Sequence, residues 1–279
     1  MGVKIKWQNT LHMPLITCFS YIIIRNSTFL VIVLNSYSIL ELIGTDMKHK
    51  IINLKKSGIL IMAVFAMVTT LCARPLMAFA DGDDTYWPEG PQINSPCAVV
   101  MEVNTGTVLY EKNSHEKHYP ASITKILTTY LTILNCKMDE KVTFSKEAVK
   151  ESSDGSSSIK RDVGEEMTME QTLYGVMLES ANECAYAAAE HTGKKLGGDY
   201  STFIDLMNKE AKELGCTDTH FNNANGLPDE THYTTAGDMM KIAKAAWYNP
   251  LYRKFVTTQV YEVPPTNMQP ETRYFLNHH

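Results

Sequence analysis

The sequence lacks the patterns that metal chemistry needs. Its nine histidines never stand in His-x-His or His-Glu-x-x-His spacing, which argues against a metal-dependent hydrolase. His220, His232, His278 and His279 read as loop or terminal residues. The six cysteines lie too far apart for a zinc cluster or a small disulfide scaffold. Cys97, Cys136 and Cys184 sit within apolar patterns and read as buried free thiols. Basic charge is scarce beyond the N-terminus. Residues 1–80 hold eight Lys/Arg and two Asp/Glu, leaving 18 basic and 29 acidic residues and a net charge of −11 in 81–279. An acidic body argues against nucleic-acid binding. No segment repeats, so the chain is not a solenoid.

What is present is a globular composition. The 279 residues are 44% hydrophobic and 20% charged, enough for one sizeable domain or two small ones. Residues 47–80 have the layout of a secretory signal. Lys48, Lys50, Lys55 and Lys56 precede an apolar run from Ile59 to Ala73, and Ala78-Phe79-Ala80 offers a cleavage site. An uncleaved membrane anchor is the alternative, although the run is shorter than a span of about 20 residues. Either reading puts the body outside the cytoplasm. Residues 1–46 fit nothing ahead of such a signal and are expected to be an upstream extension, with Met47 as the true start. Residues 81–96 form a polar linker, and 97–279 are expected to be the folded body.

Along the body, "CAVVMEVNTGTVLY" (97–110) predicts a hairpin around Asn104-Thr105-Gly106. A helical pattern follows Ser122 through Ile126, Leu127, Tyr130, Leu131 and Leu134. Residues 151–164 read as a Ser/Gly loop. Thr168 and Gln171 have the spacing of a capping box that opens the next helix. An alanine-rich helix, "NECAYAAAEHTG", is expected to stop at Gly193. Residues 201–214 predict an amphipathic helix, and "FNNANGLPDETHYTT" a loop. "AGDMMKIAKAAWYNP" predicts a helix stopped by Asn249-Pro250, with Trp247 and Tyr248 as packing residues; 258–263 predict a strand. This order gives an α+β class, with helices packed on an antiparallel sheet.

Two short motifs carry chemistry. Ser-x-x-Lys occurs at Ser114/Lys117, Ser122/Lys125 and Ser157/Lys160, but only Ser122 opens a strong helical pattern. Residues three apart share a helix face, so Lys125 can sit beside Ser122 as the base of an activated nucleophile. Alone, the pair is more simply a capping serine and a solvated lysine. Ser180-Ala181-Asn182 is the only Ser-x-Asn in the chain. Its serine can relay a proton, and its asparagine can both donate to and accept from a peptide group. Alone, it too is more simply a helix cap.

Together the motifs resemble a known family. "PASITKILT", "LYGVMLESANECAYAAAEH", "FIDLMNKEAKELGC", "THFNNANGLPDETHYTTAGDMMKIA" and "NPLYRKF" are similar to the serine-type D-alanyl-D-alanine carboxypeptidases, the low-molecular-mass penicillin-binding proteins. The resemblance runs from about Cys97 to the C-terminus. It implies the fold shared with β-lactamases and catalysis through an acyl-enzyme on Ser122. Lys125 would be the general base, Ser180 the proton relay, and Asn182 the holder of the substrate backbone. The partner would be the peptidoglycan stem peptide ending in D-Ala-D-Ala, with β-lactams as inhibitors. No cofactor and no metal is implied.

The family's third motif, Lys-Thr-Gly on a central strand, is not found. Lys56-Ser57-Gly58 lies in the signal-like segment, Asn104-Thr105-Gly106 in the hairpin turn, and His191-Thr192-Gly193 at a helix end. The chain is therefore expected to stop before the catalytic strand, leaving an incomplete sheet and a product that is poorly folded and inactive alone. A class A β-lactamase is the alternative enzyme, but Glu271 through Leu276-Asn277 is longer than its Glu-x-x-Leu-Asn motif. A non-catalytic envelope protein or broken reading frame is the third reading.

Overall fold

The computed structural model describes residues 90–152 and 155–278, together with the backbone of two strands at 21–25 and 29–34. The chain divides into two units, Met1–Ser36 with Asn94–His279, and Tyr37–Ile93. The elements that follow belong to the first. The signal or anchor expected at 47–80 lies outside the described residues. Among the described residues no helix is long and apolar enough to cross a membrane.

A four-stranded sheet has the order β1 (Tyr21–Arg25), β2 (Phe29–Leu34), β3 (Cys97–Glu102), β4 (Val108–Lys112). β3 and β4 form the expected hairpin, antiparallel, with an irregularity at Val100/Met101. β1 and β2 are also antiparallel, whereas β2 runs parallel to β3. Parts of the segment expected as an upstream extension thus form strands of this sheet.

Ser122 lies in a 3-10 turn, Ala121–Thr124, which leads directly into α1 (Lys125–Asn135). β5 (Lys141–Thr143) pairs with β6 (Glu166–Thr168), and α2 (Lys146–Lys150) lies between them in sequence. Thr168 caps α3 (Met169–Leu178) through both bonds of the capping box with Gln171. Then come α4 (Asn182–Lys195), α5 (Tyr200–Glu213), α6 (Ala236–Trp247) and α7 (Pro250–Thr257), and a closing hairpin of β7 (Val260–Val263) and β8 (Arg273–Leu276).

Two apolar clusters hold these elements. One joins Ile126, Leu127 and Leu131 of α1 to Phe203, Met207, Met239, Ile242 and Val99. The other joins Val142, Phe144, Leu173 and Tyr174 to Phe255 and Phe275. Helix α4 runs between them, giving Ala189 to the first and Ala185, Ala187 and Ala188 to the second. A helix buried on so many sides needs small side chains so that its neighbours can approach. Gly175 on α3 shows how close they come: a Cβ there would sit 2.8 Å from Cys184 Sγ.

One expected boundary needs correction, and another does more than expected. Gly193 does not stop α4, which runs on to Lys195. A Cβ at Gly193 would meet the Asp199 carbonyl oxygen at 1.8 Å, so glycine is there for close packing. Asn249-Pro250 does end α6, but it also starts α7, because Asn249 Oδ1 accepts from the N–H groups of Leu251 and Tyr252. Cys97, Cys136 and Cys184 are buried free thiols, and so is Cys216.

Candidate active site

The N-terminal end of α1 carries a row of threonines, and these anchor it to the Asn-rich loop 221–235. Thr128 Oγ1 donates to the Ala224 carbonyl (2.7 Å), and Thr124 Oγ1 lies 2.9 Å from His232 Nε2. The loop is stiffened by its own asparagines. Asn223 Oδ1 accepts from the Gly226 N–H, and Asn223 Nδ2 donates to the Leu227 carbonyl. Asn208 on α5 exchanges two 2.8 Å bonds with the backbone of Phe221.

Lys125 stands at the junction, buried to 2% exposure. Its Nζ reaches Ser122 Oγ at 3.1 Å, Asn182 Oδ1 at 2.7 Å and the Asn225 carbonyl at 2.7 Å. Burial pushes the ammonium down to about 7, and the Glu183 carboxylate opposes that fall. A neutral amine has two N–H donors and one lone pair. With Asn182 and Asn225 taking the donors, the lone pair is left for the Ser122 hydroxyl, which then donates to Nζ. That arrangement can activate a serine for attack.

The site opens into a cleft of about 270 Å³ lined by Tyr119, Ser122, Ser156, Ser157, Asn182, Asn225, Gly226 and His232, among others. None of its lining residues is a lysine or arginine. Ala121, which lines it just before the nucleophile, has a positive φ of 49, and so does Ser180 (φ 54), two residues before Asn182. Such conformations cost of order 1–3 kcal/mol each and tend to gather at functional sites.

The sequence-predicted residues separate into two groups. Ser122, Lys125 and Asn182 meet in one cluster. Asn182 is not a cap: the N-cap of α4 is Ala181, with no side-chain cap bond, and the Asn182 amide oxygen faces Lys125. Ser180 stands two residues away, but among the described residues no hydrogen bond joins it to Ser122 or Lys125. Of the other Ser-x-x-Lys pairs, Lys117 makes an exposed ion pair with Asp218, and Ser157 lines the cleft.

Sequence reasoning missed three participants: Asn225, Gly226 and His232. Gly226 (φ +88) presses on the nucleophile's turn, where a Cβ would lie 1.9 Å from the Ala121 carbonyl oxygen and 3.0 Å from the Ser122 nitrogen. His232 is buried, and its Nδ1 accepts from the backbone N–H groups of Asn222 and Asn223. Its proton is therefore on Nε2, donated to Thr124. Only the density of Asn and Gly in the loop hinted at this role.

Away from the cleft, Cys136, Glu140 and His191 bring possible metal-ligating atoms within 4.8 Å of one another. Glu140 there is already paired with His191 (2.9 Å) and with Lys195.

The comparisons fit this geometry. The sequence pattern of the D-alanyl-D-alanine carboxypeptidase family matches residues 84–277. The chain is similar to the Bacillus subtilis D-alanyl-D-alanine carboxypeptidase DacF, 41% identical over 58% of this chain and 41% of that one. It is 33% identical to a Streptomyces D-alanyl-D-alanine carboxypeptidase, over 61% of this chain and 60% of that one. The crystal structure of a Streptomyces DD-transpeptidase superposes with a TM-score of 0.63 at 30% identity, covering 69% of this chain and 76% of that one. The chain spans about half the length of the curated relatives it matches. With a family match across most of its length and that family's α+β fold around the Ser122–Lys125 cluster, the chain belongs to the D-alanyl-D-alanine carboxypeptidase family.

Proposed function

We propose that this chain carries the acylation chemistry of a serine-type D-Ala-D-Ala carboxypeptidase that trims peptidoglycan stem peptides and is acylated by β-lactams. The observation that carries this reading is the buried Lys125 Nζ, held between Ser122 Oγ, Asn182 Oδ1 and the Asn225 carbonyl. Ser122 Oγ passes its proton to Lys125 Nζ and attacks the carbonyl of the penultimate D-alanine. The oxyanion forms against the Ser122 N–H at the start of the 3-10 turn. Lys125 passes that proton through the Ser180 hydroxyl to the nitrogen of the leaving D-alanine, and Asn182 holds the substrate backbone. Water then releases the shortened peptide from Ser122.

The work belongs outside the cytoplasm, where the stem peptide is found. The test is D-alanine release from an acyl-D-Ala-D-Ala peptide, measured beside penicillin labelling. D-alanine release and labelling are both expected, and both are lost in Ser122→Ala. Absence of both in the folded wild-type chain contradicts the reading.

A further inference from the structure

Glu183 follows Asn182 in the first turn of α4, and its side chain is fully buried. One carboxylate oxygen is well used. Oε1 accepts from Ser158 Oγ (2.7 Å) and from the Ile159 N–H (2.8 Å). The Asn182 N–H donates to the Ser157 carbonyl alongside (2.9 Å). These bonds tie the segment containing Ser156 and Ser157, one wall of the cleft, to the start of α4. The other oxygen, Oε2, is buried with no hydrogen-bond partner.

A clamp alone does not explain that orphan. A buried carboxylate oxygen without a partner is expensive, and an asparagine or glutamine could accept the same two bonds without the charge. The charge needs its own reason. Lys125 supplies one, because it becomes a buried cation at the moment it takes the serine proton.

We propose that Glu183 is a positioning residue of this site: its carboxylate fastens the Ser157–Ile159 wall to α4, and its charge steadies the Lys125 ammonium formed when Ser122 gives up its proton. The proposal rests on the reading of Lys125 as the base. The other ionisable groups around the pair do not take over this role. The Cys184 thiol is pushed well above its ordinary range and stays neutral. Arg161 and Glu165 are paired with each other at 2.6 Å. Glu151 accepts from Asn225 Nδ2 at 2.8 Å. His232 is kept neutral by burial.

The experiment compares the full chain with Glu183→Gln and Glu183→Ala and does not depend on turnover. Lysine side chains are ¹³C-labelled, and the Lys125 signal is identified by its loss in Lys125→Arg. Its titration midpoint is expected to fall by about one pH unit or more in Glu183→Gln, since removing the nearby anion disfavours the ammonium. An unchanged midpoint overturns the electrostatic half. Amide exchange at Ile159 tests the clamp. The amide is expected to stay protected in wild type and Glu183→Gln and to exchange faster in Glu183→Ala. Equal protection in all three overturns it. Failure to label Ser122 with penicillin would count against the acylation reading and would leave both of these readouts intact. Where labelling occurs, its acid limb should move to lower pH in Glu183→Gln, whereas a purely structural defect lowers the plateau without moving the limb.

Discussion

Lys125 Nζ and Asn182 Oδ1 lie 2.7 Å apart, joining the start of α1 to the start of α4 across 57 residues of sequence. The amide oxygen takes one N–H of the lysine and so helps to aim its lone pair at Ser122. Two motifs that are each ambiguous alone become one device through this contact.

Asn182→Asp tests the contact. A carboxylate in place of the amide favours the ammonium form, so the Lys125 midpoint should rise by about 1–3 units. Penicillin acylation at pH 7 should fall, and its acid limb should move to higher pH. A profile that keeps its wild-type limb contradicts the proximity of the two groups.

Lys125 also marks itself in stability. Its folded value of about 7 lies below the ordinary 10.5. Between those values the unfolded chain binds the proton and the folded chain does not. Stability from this group is therefore present at high pH and is lost as pH falls towards 7. Denaturant unfolding of wild type and Lys125→Met should show a difference in unfolding free energy that changes by about 1.4 kcal/mol per pH unit between about 7 and 10. A constant difference contradicts a depressed lysine.

His232 has the same sign at lower pH. Burial brings its imidazole down to about 4, from 6.5. Its stabilising contribution is complete above 6.5 and is lost as pH falls through 4. Unfolding free energy should drop by on the order of 3 kcal/mol across that window, and the drop should flatten in His232→Gln. Protonation would also convert Nδ1 from acceptor to donor and break its bonds with Asn222 and Asn223. Equal acid sensitivity in both proteins contradicts this account.

Gly226→Ala tests the support behind the nucleophile. The new Cβ would collide with the Ala121 carbonyl, on a backbone at φ +88 that alanine tolerates poorly. Thermal unfolding should report a loss of about 2 kcal/mol or more. Penicillin labelling should fall at least tenfold, since small displacements of a nucleophile are costly. Unchanged labelling would mean that the turn does not depend on Gly226.

What was legible in the sequence was mainly local. The Thr168–Gln171 capping box, the hairpin read at 97–110 and the helix after Ser122 each declare themselves within a few residues. Signals that serve two purposes were legible only in part. Gly193 has the chemistry of a helix stop but is present because Asp199 packs against it, and Asn249-Pro250 ends one helix while capping another. The short elements β5, α2 and β6 have too few residues to show a period. In the site, Ser122, Lys125 and Asn182 were found as motifs, whereas Asn225, Gly226 and His232 act through contacts about 100 residues distant. No local pattern encodes such contacts.

The most direct test is a peptide map by mass spectrometry after incubating the full chain with benzylpenicillin, with circular dichroism run on the same sample to verify folding. The account predicts one penicilloyl adduct on the peptide containing Ser122, absent in Ser122→Ala and strongly reduced in Lys125→Met. A folded chain that carries no adduct, or carries it on another residue, would contradict the assignment of Ser122 and Lys125 as nucleophile and base.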